Sequence, residues 1–156
     1  MDSTNENAVP HEPIKPRNII DKIRSSGIIS FLILHMNDEK IVRLTALVKV
    51  SREMRGDFEK MIQELKVIAS NEGSSKVLVY ECYFKHNDSA NYLFNEAYVD
   101  ELAFNAHLAL ISPVAKKYNI QIEVIIFILS GTVAGETIDG LSAAYGSKFE
   151  FYNSKI

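Results

Sequence analysis

The sequence predicts an α+β fold of the ferredoxin-like type, in which one antiparallel sheet carries both of its helices on the same face. Three observations lead to this prediction. Residues 41–50 alternate between apolar and polar side chains, residues 51–73 repeat with a helical period, and residues 91–110 change from a strand pattern to a helix pattern. With further strands at residues 76–84 and 121–129, the order of elements from residue 41 is β-α-β-β-α-β.

An extension is predicted before this domain. Residues 1–17 are polar and rich in proline, so we expect a mobile tail that becomes ordered only when it lies on a partner. Residues 18–40 are predicted to form a short helix capped by Asn18, followed by a strand over Ile28–Met36 and a hairpin loop into the domain.

The first strand and the first helix of the domain, residues 41–130, have the clearest periodicities. From Ile41 to Val50 every second side chain is apolar, which is typical of a strand with one buried face. The helix pattern starts at Ser51 and ends at Gly73, a residue type that adopts the left-handed conformation of a helix C-terminus. Its apolar stripe consists of Met54, Phe58, Met61, Ile62, Leu65, Ile68 and Ala69.

The strand predicted over Lys76–Phe84 is apolar on both faces. One face carries Leu78, Tyr80, Cys82 and Phe84, and the other carries Val77, Val79 and Tyr83. A strand of this kind has to be covered on both sides, whereas the helices of a ferredoxin-like fold cover one. We therefore expect a second copy of the chain to pack on the open sheet face, which gives a homodimer.

The next strand leads directly into a helix. Aromatic and β-favouring residues predict a strand over Asn91–Val99, entered by a turn at residues 86–89. Asp100 is a typical helix N-cap residue, and helical spacing follows it. We expect this helix to end before Ser112 and Pro113, which resemble the start of a separate short helix.

A second extension follows the last domain strand. Residues 131–156 contain helical spacing over Gly135–Gly146, and a short edge strand is predicted over Lys148–Tyr152. The domain therefore carries additional elements at both ends.

The strand–helix junction resembles the signature of the antibiotic biosynthesis monooxygenase family. The matching residues are Glu96, Ala97, Tyr98, Asp100, Glu101, Ala103 and His107. The resemblance covers residues 41–130. It implies a dimeric α/β barrel, in which two sheets pack face to face. It also implies oxygenation of an electron-rich phenol that itself reduces oxygen, without a metal or flavin.

Composition and charge argue against several partners. A formal net charge of -3 provides no basic surface for nucleic acid or for an anionic membrane. The longest apolar run near the N-terminus, Ile28–Met36, is much shorter than the ~20 residues needed to cross a bilayer. Cys82 is the only cysteine, so no internal disulfide can form and we expect a cytoplasmic protein.

The sequence also argues against several kinds of chemistry. The haem-degrading relatives in this fold share a Trp that this chain lacks. The histidines have no spacing typical of metal ligands, and the glycines form no phosphate-binding loop. No Gly-x-Ser-x-Gly motif indicates a hydrolase. We therefore expect no metal and no cofactor.

Five residues are candidates for the site. Glu96 and His107 are the candidate catalytic pair for proton transfer. Tyr80 and Tyr98 could donate hydrogen bonds to a small-molecule ligand, and Arg43 could hold an anionic oxygen. The alternative for the pair is a hydrogen bond between Glu96 and His107 that stabilises the fold, and the alternative for the tyrosines is ordinary core packing.

Three functions agree with these observations. The first is a cofactor-independent monooxygenase that acts on a phenolic or quinol-like molecule. The second is an isomerase of a small carbonyl metabolite, which needs only an acid and a base. The third is a non-catalytic, ligand-binding or stress-related dimeric barrel, in which the motif residues only support the fold.

Overall fold

The structure is a computed structural model and describes residues 40–153. The predicted tail over residues 1–17 lies outside the described residues, as does the helix and strand extension predicted over residues 18–40 except for Lys40.

The described chain forms five strands and three α-helices in a mixed α+β arrangement. From β1 to β4 the order is β-α-β-β-α-β, which confirms the predicted ferredoxin-like class. A helix and a strand follow, as predicted for the C-terminal extension. The elements are β1 (Val42–Val50), α1 (Arg55–Glu72), β2 (Val77–Lys85), β3 (Asp88–Tyr98), α2 (Glu101–Tyr118), β4 (Ile122–Ser130), α3 (Gly135–Tyr145) and β5 (Phe149–Tyr152).

The strands form one sheet in the order β2-β3-β1-β4-β5. β1 lies at the centre and pairs antiparallel with both β3 and β4. β5 runs parallel to β4, a pairing that requires a crossover connection, and α3 provides it. Leu44 of β1 lies opposite Glu96 on one side and opposite Leu129 on the other.

The hydrophobic core lies between the sheet and the helices. The apolar face of β1 is buried, as its alternation predicts, and α1 and α2 contribute their own apolar faces. On α3, the ring of Tyr145 stacks on that of Phe127 at a centroid distance of 4.7 Å, so this helix packs on the same sheet face. The least exposed core side chains are Val42, Val50, Phe58, Tyr98, Phe104 and Leu129.

The strict alternation predicted for β2 is wrong at the start of the strand. Val77 pairs with Tyr98 and Val79 pairs with Ala97, so Leu78 is an extra residue in a β-bulge. The bulge puts Val77 into the core and leaves Leu78 43% exposed. Beyond it, Tyr80 lies opposite Glu96, which places both side chains on the helix-covered face.

The separate helix predicted from Ser112 and Pro113 is also wrong, because α2 continues through both residues to Tyr118. A proline inside a helix removes one hydrogen bond to the carbonyl four residues earlier, here that of Ala109. Both Ala109 and Pro113 are exposed, so water can solvate that carbonyl and the helix tolerates the proline.

The sheet face opposite the described helices carries an apolar row. Tyr83, Leu93, Leu47 and Ile126 lie opposite one another across four neighbouring strands. Tyr83 is 50% exposed and Leu93 is 40% exposed. None of the described helices is long and apolar enough to cross a membrane.

We predict that Leu65→Ala lowers the free energy of unfolding by about 2–5 kcal/mol, because Leu65 is 5% exposed in the core of α1. Val67 lies on the outer face of the same helix and is 59% exposed. Val67→Ala, the matched control, should change the free energy by less than about 0.5 kcal/mol. Urea denaturation measures the free energy of unfolding of both variants. Equal decreases would contradict the burial of Leu65 and the exposure of Val67.

Candidate active site

The candidate site begins at the end of β3. Glu96 and Tyr98 are two residues apart on a strand, so both side chains point to the face covered by the helices. Glu96 is 6% exposed and Tyr98 is fully buried. The Tyr98 hydroxyl donates a hydrogen bond of 2.6 Å to Oε2 of Glu96. The strand therefore presents a buried carboxyl group whose position is fixed by its neighbour.

Helix α2 brings His107 to this pair. Oδ1 of Asp100 accepts a hydrogen bond of 2.8 Å from the backbone N–H of Ala103, which confirms the predicted N-cap and fixes where the helix starts. His107 lies about two turns after the Asp100 cap and one turn after Ala103, on the same helix face as Ala103. Its ring is fully buried and contacts those of Tyr80 and Tyr98, with centroids 5.1 Å and 5.3 Å away.

Glu72 is the partner of His107. Oε2 of Glu72, the last residue of α1, lies 2.5 Å from Nδ1 of His107, and the two side chains are 5% and 0% exposed. The alternative considered above, a hydrogen bond between Glu96 and His107 that stabilises the fold, is therefore wrong, because Nδ1 contacts Glu72 and Nε2 has no partner among residues 40–153.

One signal in the sequence could have identified Glu72. A helix C-terminus carries a partial negative charge, so a glutamate there is unfavourable unless a cation or a hydrogen-bond donor compensates it. Glu72 directly precedes the helix-ending Gly73, and the last turn of α1 contains no basic residue. The compensating donor is His107 on another helix, which the pattern around Glu72 cannot specify.

Burial shifts the pKa values of several groups in and beside this site. Burial raises the pKa of Glu96, although the hydrogen bond from Tyr98 and the charge of a protonated His107 both act to lower it. Burial also raises the pKa of Tyr80 and of Tyr98, and the nearby Glu96 raises both further. For Cys82, burial raises the pKa to about 11. The phenols and the thiol are thus neutral donors at physiological pH.

Two buried polar atoms of this cluster have no hydrogen-bond partner in the described part of the chain, Nε2 of His107 and Oε1 of Glu72. Leaving a buried polar group unpaired costs about 1–3 kcal/mol, so such atoms are rare in native proteins. Both atoms belong to buried side chains, and the described residues leave their hydrogen-bonding capacity unused. We define the His–Glu cluster as Glu72, Tyr80, Glu96, Tyr98 and His107.

The structure thus brings four of the five predicted site residues together and adds Glu72. Arg43 is not among them. It alternates with the buried Val42 and Leu44 on β1, so it lies on the opposite face of the sheet from the His–Glu cluster.

A groove of about 360 Å³ lies at the other end of β1 from the cluster. It is formed where β1 ends, α1 begins and β4 begins, and it contains none of the cluster residues. Its lining consists of Lys49, Val50, Ser51, Met54, Gln121, Ile122 and Glu123.

No protein-family model matches this chain, and no curated protein matches it. Several solved structures have the same fold. MupZ from Pseudomonas fluorescens aligns with a TM-score of 0.58 at 15% identity, covering 75% of this chain and 92% of MupZ. A provisionally assigned antibiotic biosynthesis monooxygenase from Caulobacter crescentus aligns with a TM-score of 0.50 at 15% identity, covering 66% and 99%.

SnoaB from Streptomyces nogalater, a cofactor-independent oxygenase, aligns with a TM-score of 0.47 at 15% identity, covering 62% of this chain and 94% of SnoaB. At these identities structural likeness shows the fold and not the activity. Likeness to MupZ and to the Caulobacter protein therefore shows that this chain shares their fold.

We predict that Glu96→Gln becomes more stable relative to the unmodified protein as pH rises above about 4.5, the ordinary pKa of glutamate. The folded-state pKa of Glu96 is raised, so its contribution is complete below pH 4.5 and is lost as pH rises through the folded value. The difference should change by at most about 1.4 kcal/mol per pH unit, the limit for one proton.

Melting temperatures at a series of pH values measure this difference. Glu81→Gln, which removes an exposed glutamate from the same sheet, is the matched control for the loss of a carboxylate. A difference between Glu96→Gln and the unmodified protein that stays constant with pH would contradict the raised pKa.

Proposed function

We propose that this protein is a cofactor-independent monooxygenase that acts on a phenolic or quinol-like small molecule. The observation that carries the proposal is the environment of His107, whose Nε2 has no partner among the described residues while its Nδ1 contacts Glu72. A histidine with one nitrogen fixed and the other available is arranged to accept a proton from a substrate.

The proposed reaction starts with proton transfer from the substrate to Nε2 of His107. The resulting phenolate is electron-rich enough to reduce oxygen at an adjacent or conjugated carbon. One oxygen atom forms a new carbonyl at a substrate CH₂ group, and the other leaves as water with the two hydrogens of that group. The substrate supplies all four electrons, so the reaction balances without another reductant.

The remaining cluster residues have matching roles in this proposal. Tyr80 and Tyr98 remain protonated because burial raises their pKa values, so each is a neutral phenol in contact with the His107 ring. The Tyr98 hydroxyl already donates a hydrogen bond to Glu96, which leaves the Tyr80 hydroxyl as the proposed hydrogen-bond donor to a substrate oxygen. Tyr80 and Cys82 are only half-buried, so β2 is the less covered side of the cluster and the proposed side of entry.

A second candidate is the isomerisation of a small carbonyl compound through an enol. The raised pKa of Glu96 favours it, because a carboxyl group that keeps its proton can act as the acid while His107 acts as the base. The two reactions differ in oxygen consumption. Isomerisation consumes none, and it exchanges a substrate C–H hydrogen for deuterium in heavy water.

We also propose that the chain forms a homodimer through the apolar row of Tyr83, Leu93, Leu47 and Ile126. The row continues across four strands, and an exposed apolar surface of this kind is typical of a protein interface. Two copies packed sheet to sheet would bury it on both, in an isologous contact.

For the activity, we predict that His107→Gln lowers kcat/KM for oxygen uptake by about 10²–10⁴-fold, the usual contribution of a general base. The measurement is oxygen consumption by the purified full-length protein with hydroquinones, anthrones and flavonols. His86→Gln is the matched control, since His86 is exposed in the turn between β2 and β3. Glutamine can still donate a hydrogen bond to Glu72, so the variant should remain folded by circular dichroism.

Three results would contradict this proposal. Oxygen uptake unchanged in a folded His107→Gln variant would exclude His107 as the base. Deuterium exchange into a carbonyl substrate without oxygen uptake would support the isomerase. Tight binding of the panel compounds with neither reaction would support a non-catalytic binding protein.

For the assembly, we predict that Leu93→Lys converts a dimer into a monomer, because it would bury a charge in each half of the contact. Leu102→Lys is the control, since Leu102 is 79% exposed on α2, on the other side of the sheet. Light scattering after gel filtration reports the mass of each. A monomeric unmodified protein, or equal effects of the two substitutions, would overturn the proposed interface.

A further inference from the structure

We infer that Glu72 is a positioning residue for His107, which holds the proton on Nδ1 and keeps Nε2 as the basic nitrogen. The inference rests on the proposed function, because it concerns the same histidine. Glu72 lies outside the strand–helix motif, and its role is inferred from the geometry of the His–Glu cluster.

The position of Glu72 is fixed by the element that carries it. α1 is held in the core by Phe58, Leu65 and Ala69, and it ends where Gly73 adopts a positive φ of 72°. The backbone N–H of Gly73 donates to the carbonyl of Ala69, which closes the last turn. The carboxyl group and the imidazole therefore come from two different helices that pack in the same core.

The inferred tautomer of His107 follows from this contact. In the proposed arrangement Oε2 of Glu72 accepts the hydrogen bond across the 2.5 Å to Nδ1, so Nδ1 carries the proton. A neutral imidazole has one N–H, so Nε2 then carries the lone pair. Nε2 is the nitrogen without a partner among residues 40–153, and it is therefore the atom that can take a proton from the substrate.

In the proposed arrangement the Glu72 carboxyl group also lies beside His107 when the ring takes up a proton. The titratable groups around the ring are Glu72 on α1, Tyr80 on β2, and Glu96 and Tyr98 on β3, and Cys82 on β2 lies close enough to Tyr80 to influence its pKa. The tyrosines and the cysteine are neutral at physiological pH, and burial favours the neutral form of Glu96. The C-terminal end of α1 adds its partial negative charge on the same side as Glu72.

The alternative is that the contact between Glu72 and His107 only joins α1 to α2. The two roles predict different results for Glu72→Gln. This isosteric change removes the charge and lets the side-chain amide donate to Nδ1, so a positioning role predicts loss of the Nδ1–H tautomer. It also predicts a fall in kcat of at least about 10²-fold with KM changed by less than about threefold, as for a base in the wrong tautomer.

The first measurement needs no substrate. Side-chain ¹⁵N chemical shifts of His107, assigned by comparison with His107→Gln, distinguish a protonated Nδ1 from a protonated Nε2 in the full-length protein. We expect Nδ1–H in the unmodified protein, a mixture or Nε2–H in Glu72→Gln, and recovery of Nδ1–H in Glu72→Asp. Glu136→Gln, at an exposed position in the first turn of α3, is the control and should leave the shifts unchanged.

The outcomes separate this inference from the proposed function. An Nε2–H tautomer in the unmodified protein would overturn the inference even if Glu72→Gln fails to fold. An unchanged tautomer and kcat in a folded Glu72→Gln variant would also overturn it. The expected shifts without any oxygen uptake would support the role of Glu72 and reject the oxygenase, and kcat would then be compared in the isomerase assay.

Discussion

The fold depends on the burial of one face of β1 at the centre of the sheet. Val42 and Val50 at its two ends are almost completely buried, and both neighbouring strands pair with it antiparallel. A slip of one residue in either pairing would turn the core face of a strand towards the outside. This constraint fixes the register of β3, so Glu96 and Tyr98 must lie under the helices. The position of the polar cluster is thus a consequence of apolar packing.

A polar cluster in such a core is energetically expensive. A buried pair such as Glu72 and His107 loses hydration, and apolar residues of the same volume are often as stable or more stable. Here two polar atoms of the pair also lack partners in the described chain, which adds to the cost. Stability alone does not account for this arrangement, which agrees with the proton transfer that we propose for His107. The neighbouring Tyr80, Glu96 and Tyr98 have raised pKa values, and shifted pKa values are frequent at functional sites.

Helix α2 connects the fold to the site. Its start is determined by the Asp100 cap, and from there the helical repeat places His107 on the buried face without further information. The local signals at Pro113 indicate a new helix, yet α2 continues, because solvent can compensate for the lost hydrogen bond at an exposed position. MupZ and the Caulobacter protein share this arrangement of strands and helices with the chain. At 15% identity their likeness carries no information on which side chains react.

The sequence by itself determined the order of the elements, the buried face of β1 and the cap of α2, because period and capping are local properties. Only the tertiary structure decided which face of β3 the helices cover. It also decided that Arg43 lies away from the cluster and that His107 contacts Glu72, 35 residues earlier in the chain. A contact between residues so far apart in the chain depends on how the two helices pack. The residues around Glu72 show a helix pattern, but that pattern does not indicate which residue Glu72 contacts.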